Sequence, residues 1–346
     1  LDTVTELYSF SNLAQRKIQG GFYFRNPQTR DGVFEGRPDE NGLPTLLVAD
    51  LDGVDKGTSC PQVLINDNNV LDDSNFLLIA DNSTALGKNC FSFNEILPGG
   101  FTPQFGGTIS DVSWVSGVKG QTPSEWEYDL SLGVGYSEIN YQISRTVNPS
   151  LGPDTPFSFN PGLASQLEKN INLDLFKQFK IDDKYQINFA TGLEWRGESY
   201  RQKIGDLASY AEGFLALEPD TGLTQGFGIG SNGFTGYNPQ SAGKWSRGNW
   251  AVYSDFEMHM SDAFLFGFAT RYESFTDFGS AFDGKVSARM ILNKSLTFRG
   301  SMSTGFKAPT VGQSNVVNVT TAFSPDGLED QATLPPTNAI SIQLGA

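Results

Sequence analysis

Histidine occurs once in this chain and cysteine twice, and Lys plus Arg number only 24 against 39 Asp plus Glu. Each scarcity closes a class of function. A formal net charge of −15 argues against a nucleic-acid partner, because phosphate binding draws its affinity from clustered Lys and Arg. His259 has no second histidine and no CxxC beside it, so a structural zinc ion finds no ligand set. A GxSxG element is also missing, and the chain is read as non-enzymatic and without a cofactor. No window approaches the roughly 20 consecutive apolar residues of a membrane-spanning helix. Spanning by β-strands stays open.

What is abundant is Gly, 38 residues, and Phe, 27, a pairing that suggests many strands and turns. Cys60 and Cys90 lie 30 positions apart in a polar stretch rich in Gly, Asn and Asp. The pair reads as a loop disulfide in an oxidising compartment, with two free thiols as the alternative. The sequence opens on LDTVTELYSFSN without a Met and stops inside the alternating run NAISIQLGA, so both sides are expected to continue.

From residue 105 onward the apolar period is 2 far more often than 3.6. In 249–260, Trp250, Val252, Phe256, Met258 and Met260 take one face, and Asn249, Tyr253, Asp255, Glu257 and His259 the other. Ile187, Phe189, Leu193 and Trp195 oppose Asn188, Glu194, Arg196 and Glu198 in the same way. Eleven strands are expected, at 3–12, 18–27, 105–119, 126–146, 166–180, 185–203, 249–260, 264–275, 282–292, 295–304 and 339–346. Links between them alternate in length. Short ones fall at 13–17, 120–125, 181–184, 261–263 and 293–294, and long ones at 28–104, 147–165, 204–248 and 305–338, with 276–281 the short exception. Short turns on one edge and long loops on the other are the arrangement of an outer-membrane barrel. Lipid accepts only apolar side chains, and a closed barrel is the only sheet that pairs all its backbone polar groups in hydrocarbon. The charged face must then line a lumen.

The segment RYESFTDFGSAFDGKVSARMILNKSLTFRGSMSTGFKAPTVGQ, Arg271 to Gln313, resembles the late-barrel signature of TonB-dependent outer-membrane receptors. YSFSNLAQRKIQGGFYFRNP from Tyr8, DVSWVSGVKG from Asp111, EWEYDLSLGVGY from Glu125, VNPSLGP from Val147 and TGLEWRGESY from Thr191 resemble the same family. The resemblance implies an all-β antiparallel transmembrane barrel, with 1–346 supplying about eleven of 22 strands and 28–104, 204–248 and 305–338 as extracellular loops. It also implies residence in the bacterial outer membrane among its lipids. Capture and energy-coupled uptake of a scarce solute follow, whether a siderophore, a carbohydrate or another nutrient. The inner-membrane TonB system would act through a plug domain for which this sequence has no counterpart. A passive porin-like barrel and a secreted soluble β-rich carbohydrate-binding protein are the alternatives.

Among candidate sites, the 204–248 loop carries Phe227, Phe234, Tyr237 and Trp245 among glycines. Rings so spaced can stack on sugars or flat ligands, or can pack the loop upon itself. Asp50, Asp52, Asp55, Asp67, Asp72 and Asp73 do not match the spacing of a calcium loop and read as a solvated acidic surface. GFGIGSNG, from Gly226, imitates a dinucleotide fingerprint without the strand and helix that would give it meaning. Glu194, Arg196 and Glu198, with Arg271 and Glu273, read as mutual neutralisation on a lumen face.

Overall fold

The computed structural model describes residues 5–53, 58–65, 72–181, 185–217, 225–324, 327–335 and 338–345, and the side chains of 318–331 are not considered. Nine strands form one antiparallel sheet: β1 (Glu6–Gly21), then, beyond the small strands β2 (Ala49–Asp50) and β3 (Cys90–Phe91), β4 (Gln104–Gln121), β5 (Glu127–Ser144), β6 (Ser158–Lys180), β7 (Gln186–Lys203), β8 (Gly243–Ser261), β9 (Phe264–Phe275), β10 (Gly279–Asn293) and β11 (Leu296–Ser303). The order is β1-β4-β5-β6-β7-β8-β9-β10-β11, each strand beside its predecessor, with β1 and β11 at the edges. β12 (Asn318–Ser324) and β13 (Gly327–Thr333) make a separate hairpin.

Register carries each strand's two faces across the whole sheet. Leu132 pairs with Ile171, Ile171 with Trp195 and Trp195 with Trp250. Farther down, Phe189 pairs with Phe256, Phe256 with Phe268, Phe268 with Val286 and Val286 with Met302. All of these side chains but the half-buried Phe189 are exposed, Trp195 at 44% and Met302 at 82%, instead of closing over a core. So broad an apolar patch on a folded surface marks contact with lipid or protein. The opposite face carries the row Glu6, Lys119, Asp129, Asp174, Gly192, Tyr253, Arg271 and Asp283.

Two strand expectations are corrected. The strands expected at 3–12 and 18–27 with a link at 13–17 are one continuous strand, β1, whose register with β4 runs unbroken from Glu6 opposite Lys119 to Gly21 opposite Gln104. Gln15, Arg16 and Lys17 read as a turn only because polar residues occupy both faces there. The terminal strand expected at 339–346 is instead a short helix, Ala339–Gln343, capped by the Asn338 side chain on the Ile340 amide. Strands β6 and β8 also begin earlier than expected, at Ser158 and Gly243, and β12–β13 lies inside the expected 305–338 loop. Of the expected turn at 181–184, residues 182–184 lie outside the described residues.

The buried core sits in the loops, outside the sheet. Val33, Phe34, Leu47, Ala49, Phe91, Phe93 and Phe101, from the connection between β1 and β4, pack with Val147 from the β5–β6 connection and with Leu215 and Phe227 from the β7–β8 connection. A second cluster of Leu46, Val63, Phe76 and Ile79 surrounds Cys90, which is joined to Cys60 in a disulfide with 5.6 Å between Cα atoms. Helices α1 (Ser74–Ile79) and α2 (Ala85–Asn89) flank it, capped by the side chains of Asp73 and Thr84.

Candidate functional site

Three long connections emerge at one edge of the sheet and fold into a single cap over its polar face. Asn148, fully buried in the VNPSLGP segment, is their hub. Its Nδ2 donates to the carbonyls of Ala208 and Ala211 at 2.9 Å, and its Oδ1 accepts from Ser150 Oγ at 2.8 Å and from the Gly230 amide at 3.1 Å. Both amide groups are thus saturated within the cap, as burial demands. The Gly228 amide donates to Gly32 O and the Asn232 amide to Val147 O, each at 2.8 Å, so the third loop is sewn to the first and second. Arg25 is 2% exposed and has no carboxylate partner among the described residues. Burial, then the neighbouring Arg30, pushes its pKa down, and its guanidinium lies 3.9 Å over the Tyr23 ring.

The four candidate rings divide between two places. Phe227 is enclosed in the cap core, 6.1 Å from Phe93, so its ring packs the cap and presents no stacking surface. Phe234 and Tyr237 meet the polar face instead. Phe234 lies 4.6 Å from Phe105 and 5.2 Å from Tyr141, and Tyr237 lies 6.0 Å from Tyr141. Trp245 stacks on Tyr200 at 6.1 Å on the same face of β7 and β8. These rings, with Phe22 stacked 5.6 Å from Phe105, are half-buried and line the upper end of the polar face. Burial, and then the Tyr141 and Tyr200 hydroxyls, push the Tyr237 phenol up, so it remains a neutral donor at physiological pH. Such a surface offers flat apolar faces rimmed by hydroxyls, suited to stacking and hydrogen bonding with a neutral or weakly charged solute.

Below the rings the wall is a mesh of compensated charge. Arg271 donates to Glu194 Oε2 at 2.8 Å and to Glu273 Oε1 at 2.7 Å, spanning from β9 to β7. It reaches that far because the residue between the two carboxylates, opposite both, is Ala251. Arg196 approaches Glu194 at 3.1 Å. Arg16 donates to Asp111 at 2.6 Å, and Ser137 donates to the other oxygen of the same carboxylate at 2.7 Å. This last cluster edges a groove of about 650 Å³ lined further by Asn12, Glu168 and Asn170. His259 faces Glu257 at 3.2 Å on the same wall. Arg16, Arg196 and Arg271 each have a carboxylate partner, whereas Arg289 and Arg299, directly opposed on the same face of β10 and β11, have none among the described residues.

Arg247 went unnoticed in the sequence. Almost fully buried, it donates from Nε to both Asp277 oxygens at 2.8 and 3.0 Å, from Nη1 to Pro309 O, and from Nη2 to Ser314 Oγ at 3.2 Å. It thereby holds the segment after β11, including Pro309 of the GFKAP run, against β8. A short helix, Val311–Asn315, lies there, and its Val311 is buried. Of the acidic-loop residues, Asp50 accepts from Asn89 Nδ2 at 2.9 Å and Asp73 caps α1, whereas Asp55 and Asp67 lie outside the described residues. No group of three potential metal ligands occurs among the described residues.

A comparison with curated proteins finds no match. Among solved structures, the RagAB peptide transporter is similar at 14% identity and a TM-score of 0.41, over 68% of this chain and 26% of that one. A mutant of the ferric enterobactin receptor PfeA from Pseudomonas aeruginosa gives 12% and 0.42, over 64% and 32%. The siderophore receptor PirA from Acinetobacter baumannii gives 12% and 0.41, over 68% and 35%. The chain thus spans about a quarter to a third of those chains. The sequence profile of the family described as TonB dependent receptor-like, beta-barrel matches residues 61–346, most of the chain. With its two-faced antiparallel sheet, the chain belongs to the TonB-dependent receptor β-barrel family.

Proposed function

We propose that this chain supplies part of the barrel wall and the surface cap of an outer-membrane receptor that captures a scarce solute and passes it inward when the TonB system acts on a plug. The observation that carries the reading is the division of the sheet: a broad apolar belt on one face, a polar and charged wall on the other, and the long connections gathered at one edge. A soluble carbohydrate-binding sandwich would bury such a belt against a second sheet. The extracellular assignment of 28–104, 204–248 and 305–338 belongs to the same proposal.

Capture begins at the rings. Phe234, Tyr237 and Trp245, with Phe105, Tyr141 and Tyr200 beside them, form the stacking surface between cap and wall, and Phe227 holds that cap in shape. Much of the charge on the wall below is compensated in pairs, by Arg16 with Asp111, Arg196 with Glu194 and Arg271 with Glu194 and Glu273, while β10 and β11 add the unpaired cations Arg289 and Arg299. Growth of a receptor deletion strain on a panel of ferric siderophores, oligosaccharides, peptides and corrinoids tests the proposal. A defect on one nutrient class, reproduced by deleting TonB, is expected. A defect that persists without any TonB dependence supports the passive barrel instead.

A further inference from the structure

Past Phe306 the chain turns back over the polar face and is fastened there at one residue. Thr304 and Phe306 still belong to the sheet, with the Thr304 amide on Gly284 O at 2.9 Å and the Phe306 amide on Asp283 Oδ2 at 3.1 Å. Beyond them, among the described residues, every hydrogen bond that joins 307–316 to the wall comes from Arg247, to Pro309 O and to Ser314 Oγ. The other bonds of this segment are its own: the Thr310–Gln313 capping box, Asn315 Nδ2 on Val311 O, and the Ser314 and Val316 amides on Thr310 O and Gly312 O. Arg247 is held separately by Asp277, so its place on the wall does not depend on the segment. Val311 is the one fully buried side chain in 307–316, and Gly312 lies flat against the Tyr200 ring, where a Cβ would stand 3.4 Å away. A stretch with so few buried contacts opens at low free energy.

The wall beside this fastening is polar and unsatisfied. Asn249, two residues from Arg247 on the same face of β8, is 3% exposed, and neither its Nδ2 nor its Oδ1 has a partner among the described residues. It stands opposite Arg196 on β7, whose buried Nε is also without one, and opposite Phe275 on β9. Gln202, two residues beyond Tyr200 on that face, buries an unpartnered Nε2 in the same way. Buried amides are bonded almost without exception, because an unmade bond costs the full desolvation of the group. The returning segment meets the strands on both sides of Asn249: Gly312 on the Tyr200 ring of β7, and Phe306, where the segment begins, 6.2 Å from the Phe275 ring of β9. When seated it hides groups that it does not satisfy.

We propose that 307–316 is a strap with Arg247 as its latch, and that lifting it opens Asn249 and Arg196 as a covered solute contact below the rings. The Asn249 carboxamide offers a donor and an acceptor side by side, and Arg196 Nε adds a second donor. Glu194, Glu198 and Glu273 share that face with Arg196 and Arg271, which disfavours a free anion. The group that fits is uncharged and both accepts and donates, as a carboxamide on the solute does. The inference rests on the reading that the polar face lines the path of a solute.

The test uses the intact receptor carrying this chain, purified in detergent, with Asn249→Cys offered a charged, water-soluble maleimide; Cys60 and Cys90 are bonded to each other and stay silent. Adding Arg247→Gln should raise the labelling rate roughly tenfold. Adding Ser314→Ala, which removes one latch bond and leaves the Asp277 pair intact, should raise it by a smaller factor, so the comparison survives if the Arg247 variant fails to fold. Equal, measurable rates with and without the latch overturn the strap. Absence of labelling in all three proteins would instead defeat the reading that this face lines a watery path, which separates the two failures. In a receptor without the added cysteine, Asn249→Leu should slow hydrogen exchange of the Ser314 and Val316 amides, because an apolar side chain loses nothing by being covered. Faster exchange there would show the carboxamide to be satisfied beneath the strap and would overturn the proposal. N-acetylglycinamide should speed the same exchange in the unsubstituted receptor and not in Asn249→Leu. An equal response of the two proteins, or acetate acting as well as the amide, overturns the assigned solute chemistry.

Discussion

Arg25 Nε donates to Asn232 Oδ1 at 2.7 Å across 207 positions of sequence, and this bond ties the first long loop to the third. The guanidinium is buried among Phe22, Tyr23 and Gly233. A buried charge without a counter-ion depends on its hydrogen bonds and on the ring beneath it.

Replacing Asn232 with Ala removes that acceptor and leaves a charged donor buried. The expected cost is about 1.5–3 kcal/mol of cap stability. Hydrogen exchange reads it directly: amides around Phe34 and Leu47 should exchange faster while the β4–β5 hairpin is unchanged. Unaltered exchange in the cap would show that the bond does not hold the loops together.

The disulfide should act on the same cap from the other side. Cys60→Ser with Cys90→Ser frees a loop of 30 residues and is expected to remove about 2–4 kcal/mol from the cap. Cleavage by trypsin after the exposed Lys88 should accelerate, with the sheet strands still protected. A cleavage rate equal to that of the bonded protein would contradict the assignment.

Phe227 and Phe234 are seven residues apart and should behave oppositely. Phe227→Ala empties a fully buried position and should cost about 3–5 kcal/mol of cap stability. Phe234→Ala trims a half-exposed ring, so the larger effect should fall on solute affinity, with melting of the cap little changed. Equal loss of stability in both variants would reduce all four candidate rings to packing.

How much of this was legible follows from what period 2 can report. Between Ile187 and Trp195, or Trp250 and Met260, one face must be apolar and the alternation is unmistakable. Where strands run past the belt both faces are polar, which hid Arg16 and Lys17 inside β1 and the first residues of β6 and β8. NAISIQ alternates too, but five residues cannot separate a strand from a single capped helical turn. The cap was illegible for a different reason: Phe93, Val147 and Phe227 reach one core from three separate loops, and no local pattern announces such contacts. Arg25, Asn148 and Arg247 are ordinary polar residues in the sequence and acquire their roles only through partners far along the chain.

Acid should loosen particular turns of the cap. Hydrogen bonds from the Leu43 and Asn41 amides hold the Asp39 carboxyl below its ordinary 3.8, and the Ser83 hydroxyl and amide do the same for Asp81. A depressed folded pKa gives stabilisation that is full above the unfolded value and is lost as pH falls through the folded one. Glu95 has the opposite sign, since burial raises it above its ordinary 4.5; its favourable contribution is full below that value and is lost as pH rises through the folded pKa. Protection of the Asn41, Leu43 and Ser83 amides should therefore fall between roughly pH 5 and pH 2. Protection that is flat across that window would contradict the bonds.

The central claim is that one face of the sheet meets lipid, and a pair of single charges tests it. Phe298 lies opposite Met290 on the apolar face, and Ser301 lies opposite Ser287 on the other. Phe298→Arg places a cation in the belt at an expected cost of about 2–4 kcal/mol, whereas Ser301→Arg adds the same charge to the polar wall. The measurement is the yield of heat-modifiable, folded receptor in the outer-membrane fraction of cells expressing each variant. The account predicts a marked loss for Phe298→Arg and near-normal yield for Ser301→Arg. Equal yields, or the reverse order, would contradict it.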